Sequence, residues 1–195
     1  MNARVIPVIY GSVRTERKGI KAARFVVKEL KQRGYHAVLV DPLERMLPLL
    51  DRLYKEYAPN EAPPALKDLA ELFTSADGFV VVSGEYNHGV PPALKNLMDH
   101  FLEEYFWRPA AIVSYSGGLF GGVRAAMQWR AILGEMGMIT IPSIQPFPHV
   151  QEAFTEDGEP TDPQTRLRTA RFFEEFAWYV DALREQRRSG VPYGS

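Results

Sequence analysis

The chain has no cysteine, which rules out disulfides, thiolate zinc sites, iron–sulfur clusters and a thiol nucleophile. An excess of charge of either sign is also missing. Lys and Arg number 23 against 24 Asp and Glu, a net charge of −1, so neither nucleic acid nor an anionic membrane surface is indicated as a partner. No apolar run is long enough for a transmembrane helix, and the first residues lack the basic, apolar and small-residue pattern of a secretory leader. A cytoplasmic location and no membrane association are therefore expected. The histidines, at 36, 88, 100 and 149, are scattered without paired spacing, so no metal site is expected. Neither GxxxxGK[ST] nor GxGxxG occurs.

What is present is an ordinary globular composition, 46% hydrophobic and 24% charged over 195 residues, enough for one domain spanning 1–195. Arg4–Tyr10 reads as a buried strand. Ile20, Ala23, Val27 and Leu30 then recur at helical spacing up to Gly34. Tyr35–Asp41 is a second strand. Pro42–Pro64, with its prolines and mixed charge, is a long connection with one helical turn at Leu49–Tyr57. Leu66, Leu69, Ala70, Leu72 and Phe73 mark a short amphipathic helix, and Phe79–Ser83 is a β-branched run of the kind buried on both faces of a sheet.

A polar loop follows, then a helical stripe from Leu94 to Tyr105. The stripe ends in Phe106-Trp107, aromatics that either meet a partner subunit or pack within the chain. Ala110–Tyr115 is the fourth strand, Val123–Met136 a helix, and Ile139–Ile144 the fifth strand. Asp162-Pro163 is an N-cap and N1 pair opening a last helix through Leu183, and Arg184–Ser195 reads as a frayed basic tail. Met98, Met127, Met136 and Met138 fit the core. Strands alternating with helices imply a parallel sheet covered on both faces, an α/β three-layer sandwich with five strands in the order 2-1-3-4-5. Ligands of such sheets sit at the carboxyl ends of the strands, where the order reverses between the first and third.

Three loops fall at that edge: Ser12–Arg17, Glu85–Pro91 and Ser116–Gly122. In the first, Arg14 and Arg17 lie between a strand and a helix start. Unpaired backbone amides at a helix N-terminus carry partial positive charge and accept phosphate oxygens, and Arg adds charge-assisted donors. Alone, this turn is equally an ordinary solvated one. His88 reads as a bystander, Arg124 as a packing or subunit-contact residue, and Lys95 and Asn96 as structural or ligand-facing. No nucleophile–base pair stands in the expected loops.

Together, GSVRTER (residues 11–17), EYNHGVPPALKNLMD (85–99) and SGGLFGGVRA (116–125) resemble the NADPH-dependent FMN reductase family, a flavodoxin-like group that includes quinone reductases and azoreductases. The resemblance implies that Ser12, Arg14 and Arg17 hold the phosphate of non-covalently bound FMN. It places Glu85, Tyr86 and Asn87 along the isoalloxazine ring, with Ser116, Gly117 and Gly118 approaching its pyrimidine side through their backbone. It implies NADPH or NADH as co-substrate, a quinone-like or other small acceptor, no catalytic side chain, and a homodimer or homotetramer. The chain departs from the family pattern at Gly84, where a proline is frequent, at Gly117-Gly118, and at Arg17, where many relatives carry serine. A flavodoxin-type electron carrier and a non-catalytic flavin-binding module are the alternatives.

Overall fold

A computed structural model describes residues 3–193. Five parallel strands, β1 (Val5–Tyr10), β2 (His36–Val40), β3 (Phe79–Gly84), β4 (Pro109–Tyr115) and β5 (Ile139–Phe147), form one sheet in the order 2-1-3-4-5, as expected from the sequence. The helices are α1 (Ile20–Gln32), α2 (Pro64–Thr74), α3 (Pro92–Asp99), α4 (Val123–Glu135), a short α5 (Val150–Ala153) and α6 (Gln164–Arg188).

The pleat divides the core. Ile6, Val8 and Tyr10 of β1, Val80 and Val82 of β3, and Ala111, Val113 and Tyr115 of β4 pack with α1 and α6. Ile9, Phe79, Val81, Ala110 and Ile112 face the opposite way, onto α2, α3 and α4. Every residue of β3 and β4 is buried, which explains why these strands read as continuous apolar runs. Each large apolar side chain fully withdrawn from water stabilises the fold by about 1.5–3 kcal/mol. The indole of buried Trp129 keeps its polar atom satisfied by donating to Ser83 Oγ at 2.8 Å.

Several boundaries differ from expectation for local reasons. The Leu94–Tyr105 stripe is α3 followed by a separate 3₁₀ turn at Glu103–Tyr105, with Phe101 and Tyr105 buried within the chain. Trp107 packs on Tyr193, the ring centroids 4.7 Å apart, so these aromatics are used inside the chain. The helical turn of the long connection is shorter than expected, Tyr54–Glu56. β5 continues through Pro142 and Pro146 to Phe147, which proline permits on an edge strand, with a register shift between Ala110 and Ile112. The last helix starts at Gln164 with Pro163 at the N-cap, one residue later than expected, and Asp162 Oδ1 accepts the Gln164 amide at 2.9 Å from just outside it. The expected frayed tail is helical to Arg188, because Arg184 and Arg187 reach Asp77 at 3.1 and 3.2 Å; Gly194 and Ser195 lie outside the described residues. Met127, expected in the core, is 59% exposed on α4.

A charged hairpin clamps α1. Thr155 and Glu159 close it, and Gly158 adopts φ +87° where a Cβ would lie 2.7 Å from the backbone of Phe25. Lys28 Nζ reaches Asp157 at 3.0 Å and Glu159 at 2.7 Å, and Lys21 reaches Glu156 at 2.7 Å. The Thr155 hydroxyl, donating at 2.6 Å, and then Lys28 hold the Asp157 carboxyl down at about 2. A depressed native value stabilises the fold above the ordinary carboxylate range and loses that contribution as pH falls toward 2. An NMR titration of Asp157 is expected to show a midpoint of about 2, with Thr155→Val raising it more than Lys28→Met. A wild-type midpoint at the unperturbed 3.8 contradicts the clamp.

Candidate active site

At the carboxyl ends of β1, β3 and β4, where the strand order reverses, lies an open cleft of about 180 Å³. Ser12, Arg14 and Glu16–Gly19 line it from the first loop, Gly84–Tyr86 from the second, and Tyr115–Gly117 from the third, with Val150 and Gln151 of α5 closing one side.

The first loop presents donors. No backbone acceptor among the described residues takes the amides of Thr15, Glu16, Arg17 or Gly19, and they gather at the N-terminus of α1, whose dipole adds positive potential. Arg14 is exposed and has no carboxylate partner among the described residues. Arg17 is different. Its guanidinium is ion-paired to Asp41, which is 2% exposed, and lies 5.7 Å from the centre of the Tyr10 ring. The Asp41 bond raises the affinity of Arg17 for its proton, and Asp41 also accepts the Leu43 amide at 3.0 Å. Both expected arginines are therefore at the site, but only Arg14 brings uncompensated charge.

In the second loop, Tyr86 OH shares a 2.8 Å hydrogen bond with Ser12 Oγ, which also accepts the Arg14 amide at 3.4 Å. That bond joins the first two loops and fixes the Tyr86 ring as a wall of the cleft. Glu85 lines the cleft as expected, yet its carboxylate is turned to α4. It accepts the amides of Arg124 and Ala125 at 3.0 and 3.3 Å and the Arg124 guanidinium at 3.3 Å. Asn87 does not line the cleft. With His88 it forms the exposed tip of a hairpin turn, φ +50° and +66°, between the paired Tyr86 and Gly89.

In the third loop, Ser116 and Gly117 line the cleft, while Gly118 faces open space outside it. Ser116 Oγ donates to the Gly118 carbonyl at 2.9 Å and Gln151 donates to the Gly117 carbonyl at 3.2 Å, so the loop is already shaped. Its left-handed residues are Gly121 and Gly122, and a Cβ on Gly122 would lie 2.6 Å from the Tyr115 carbonyl oxygen. Arg124 stacks on Phe120 at 4.6 Å, a packing role as expected. Lys95 pairs with Asp99, and Asn96 accepts the Leu50 amide and donates to the Pro48 carbonyl, so both serve structure.

Tyr115, Gly19 and Asp41 were not anticipated as site residues. A Cβ on Gly19 would fall 2.1 Å from Tyr115 Cζ, and one on Gly84 would fall 3.0 Å from it. The glycine at 84 thus makes room for a tyrosine ring beneath the first turn. The alternation along β4 carried this signal, since Ala111, Val113 and Tyr115 all point toward α1. No group of three or more potential metal ligands occurs among the described residues, and no described helix is long and apolar enough to cross a membrane.

Removal of the Glu85 carboxylate is expected to expose the first turn of α4. Glu85→Ala should cost about 1–2 kcal/mol in chemical unfolding, the typical value of a helix cap, whereas Asn87→Ala should stay within about 0.5 kcal/mol. Equal effects would contradict the capping role.

Residues 5–152 match the family described as NADPH-dependent FMN reductase. An NAD(P)H-dependent FMN reductase of Schizosaccharomyces pombe is 42% identical over 69 residues, covering 35% of this chain and 34% of its own length. One from a Nectria species is 30% identical over 134 residues, covering 63% and 64%. The chain thus spans less than two thirds of these two relatives. An FMN-dependent NADPH-azoreductase of Staphylococcus aureus is 25% identical over 177 residues, covering 89% of this chain and 94% of its own. Among solved structures, the flavoenzyme NAD(P)H:acceptor oxidoreductase of Paracoccus denitrificans superposes with a TM-score of 0.74 at 22% identity, covering 92% and 98% of the two chains. A flavodoxin variant of Pseudomonas aeruginosa gives 0.54 at 17%, covering 90% and 98%. The residues present suit FMN: unpaired amides and Arg14 for a phosphate, the Tyr86 ring for a flat aromatic system, and an open glycine edge. The chain belongs to the NADPH-dependent FMN reductase family, whose cofactor is FMN.

Proposed function

We propose that the protein is a single-domain, FMN-containing oxidoreductase that takes reducing equivalents from NADPH or NADH and delivers them to a quinone-like or other small acceptor. The observation that carries this reading is the meeting, at the strand-order switch point, of an anion-binding helix start with a fixed tyrosine wall and an open edge. FMN, when bound, supplies the electron-transfer chemistry.

The chain's own residues bind and orient. The amides of Thr15, Glu16, Arg17 and Gly19 and the Arg14 guanidinium would hold the phosphate, and Ser12 fixes Tyr86 as the wall that would meet the ring. Ser116 and Gly117 offer backbone to the polar edge of the ring; Gly118 lies beyond the cleft lining and Asn87 shapes the turn. Arg17 supports the phosphate turn from its pair with Asp41. No proton-transfer role falls to the ionisable side chains of the cleft: Glu85 is committed to α4, Glu16 at the rim pairs with Lys18 at 3.6 Å, and His88 sits outside at the turn tip. Proton exchange then runs through solvent, which the open cleft admits.

A homodimer or homotetramer is part of this proposal. Leu119, Phe120 and Met127 are 72%, 60% and 59% exposed in the third loop and on α4, an apolar margin suited to a second copy.

Purified protein reconstituted with FMN is expected to show flavin absorbance that bleaches on anaerobic addition of NADPH. Absorbance that persists would favour an electron carrier, and failure to take up FMN would overturn the reading. Arg14→Ala is expected to weaken FMN binding about tenfold while leaving riboflavin binding nearly unchanged, measured by fluorescence quenching.

A further inference from the structure

One buried polar atom at the cleft has no partner. Tyr115 is 8% exposed, and its hydroxyl makes no hydrogen bond among the described residues. Buried hydroxyls are nearly always paired, because leaving one unpaired costs stability. The hydroxyls of Tyr10 and Ser12 lie close enough to perturb this one, but their hydrogen bonds run to other partners. Tyr10, stacked on Tyr115 at 6.1 Å, directs its own hydroxyl toward the Arg17 carbonyl at 3.5 Å. Ser12 Oγ is engaged with Tyr86 and the Arg14 amide. Gly19 and Gly84 have no side chain to offer, and the absence of both is what allows the ring to stand there. Burial pushes the Tyr115 phenol far above its ordinary value, so it stays protonated and is available as a donor.

This orphan donor stands under the first turn of α1, near the amides of Thr15, Glu16, Arg17 and Gly19, which also lack backbone acceptors among the described residues. Two independent sets of unsatisfied donors thus converge on one end of the cleft, a pattern that calls for a multiply charged acceptor. We propose that the Tyr115 hydroxyl is a ligand of the terminal phosphate monoester of FMN, donating to a phosphate oxygen from the floor of the turn. The proposal rests on the FMN reading above and names a residue beyond the Ser12 and arginine set. It also accounts for Gly84: a side chain there would fill the place of the ring that carries the donor.

The test exploits the cost of an unpaired hydroxyl. Tyr115→Phe keeps the ring and removes only the orphan oxygen, so the apo variant is expected to melt at or above the wild-type temperature. Its dissociation constant for FMN is expected to rise about tenfold, while that for riboflavin, which lacks the phosphate, changes less than about twofold. Inorganic phosphate should raise the melting temperature of wild-type apoprotein more than that of the variant. Unchanged FMN affinity, equal losses for FMN and riboflavin, or a lower melting temperature for the apo variant would each overturn the assignment. Wild-type protein that binds neither flavin would instead overturn the FMN reading itself, so the two failures are distinguishable.

Discussion

The cleft depends on one steric fit, the Tyr115 ring lodged between Gly19 and Gly84. A helix N-terminus binds an anion only when its amides point at the ligand and its approach is clear. The ring sets the height of the first turn of α1 above the sheet, because a side chain at either glycine would displace one or the other. β1, β3 and β4 are brought into register by their ladders, and this contact carries that register upward into the loops. The Tyr86–Ser12 bond then ties the second loop to the first, so the three loops form one surface.

Charge in this surface is distributed unevenly between two arginines in one turn. Arg17 is bound by a carboxylate almost wholly withdrawn from water, which makes the pair a structural tie between the first loop and the exit of β2. Breaking it by removing one partner would strand the other charge, so the pair is better understood as a fixed support than as a mobile ligand. Asp41 extends the tie into the long connection through the Leu43 amide, and Asn96 on α3 holds the same connection farther along at Pro48 and Leu50. Arg14, exposed beside the free amides, is left to supply the net positive charge.

The architecture was legible because the signals that specify it are local. A continuous β-branched run marked β3, helical periodicity marked α1 and α2, and the Gly and Asn loops fell where parallel strands end. The site was legible only to the level of loops. Arg17 carries no mark in its own neighbourhood of a partner 24 residues away. Glu85 stands in a loop that resembles a flavin-lining one, yet its oxygens cap a helix 39 and 40 residues later. Asn87 and His88 take up left-handed turn conformations that a sequence motif alone does not distinguish from ligand contacts. Tyr115 was read as the end of a strand, and its importance emerges only when α1 is placed above it. In each case the missing information is a long-range contact, which periodicity and motif do not encode.

The two ends of the cleft are built differently, and on the proposed function the difference has a consequence. The phosphate end is over-determined: a helix start, a fixed tyrosine, a paired arginine and a free one converge on a small volume. The ring end has one firm wall, Tyr86, opposite a glycine loop whose Gly118 meets nothing and whose Leu119 and Phe120 stand in solvent. Binding energy gathered at a remote group can position a reacting centre without walls around it. Such a cleft selects its cofactor through the phosphate and leaves the ring face open to flat acceptors of varied shape. Any tighter choice of acceptor has to come from groups that close over that face, and the exposed apolar margin beside it is where a second copy would bring them.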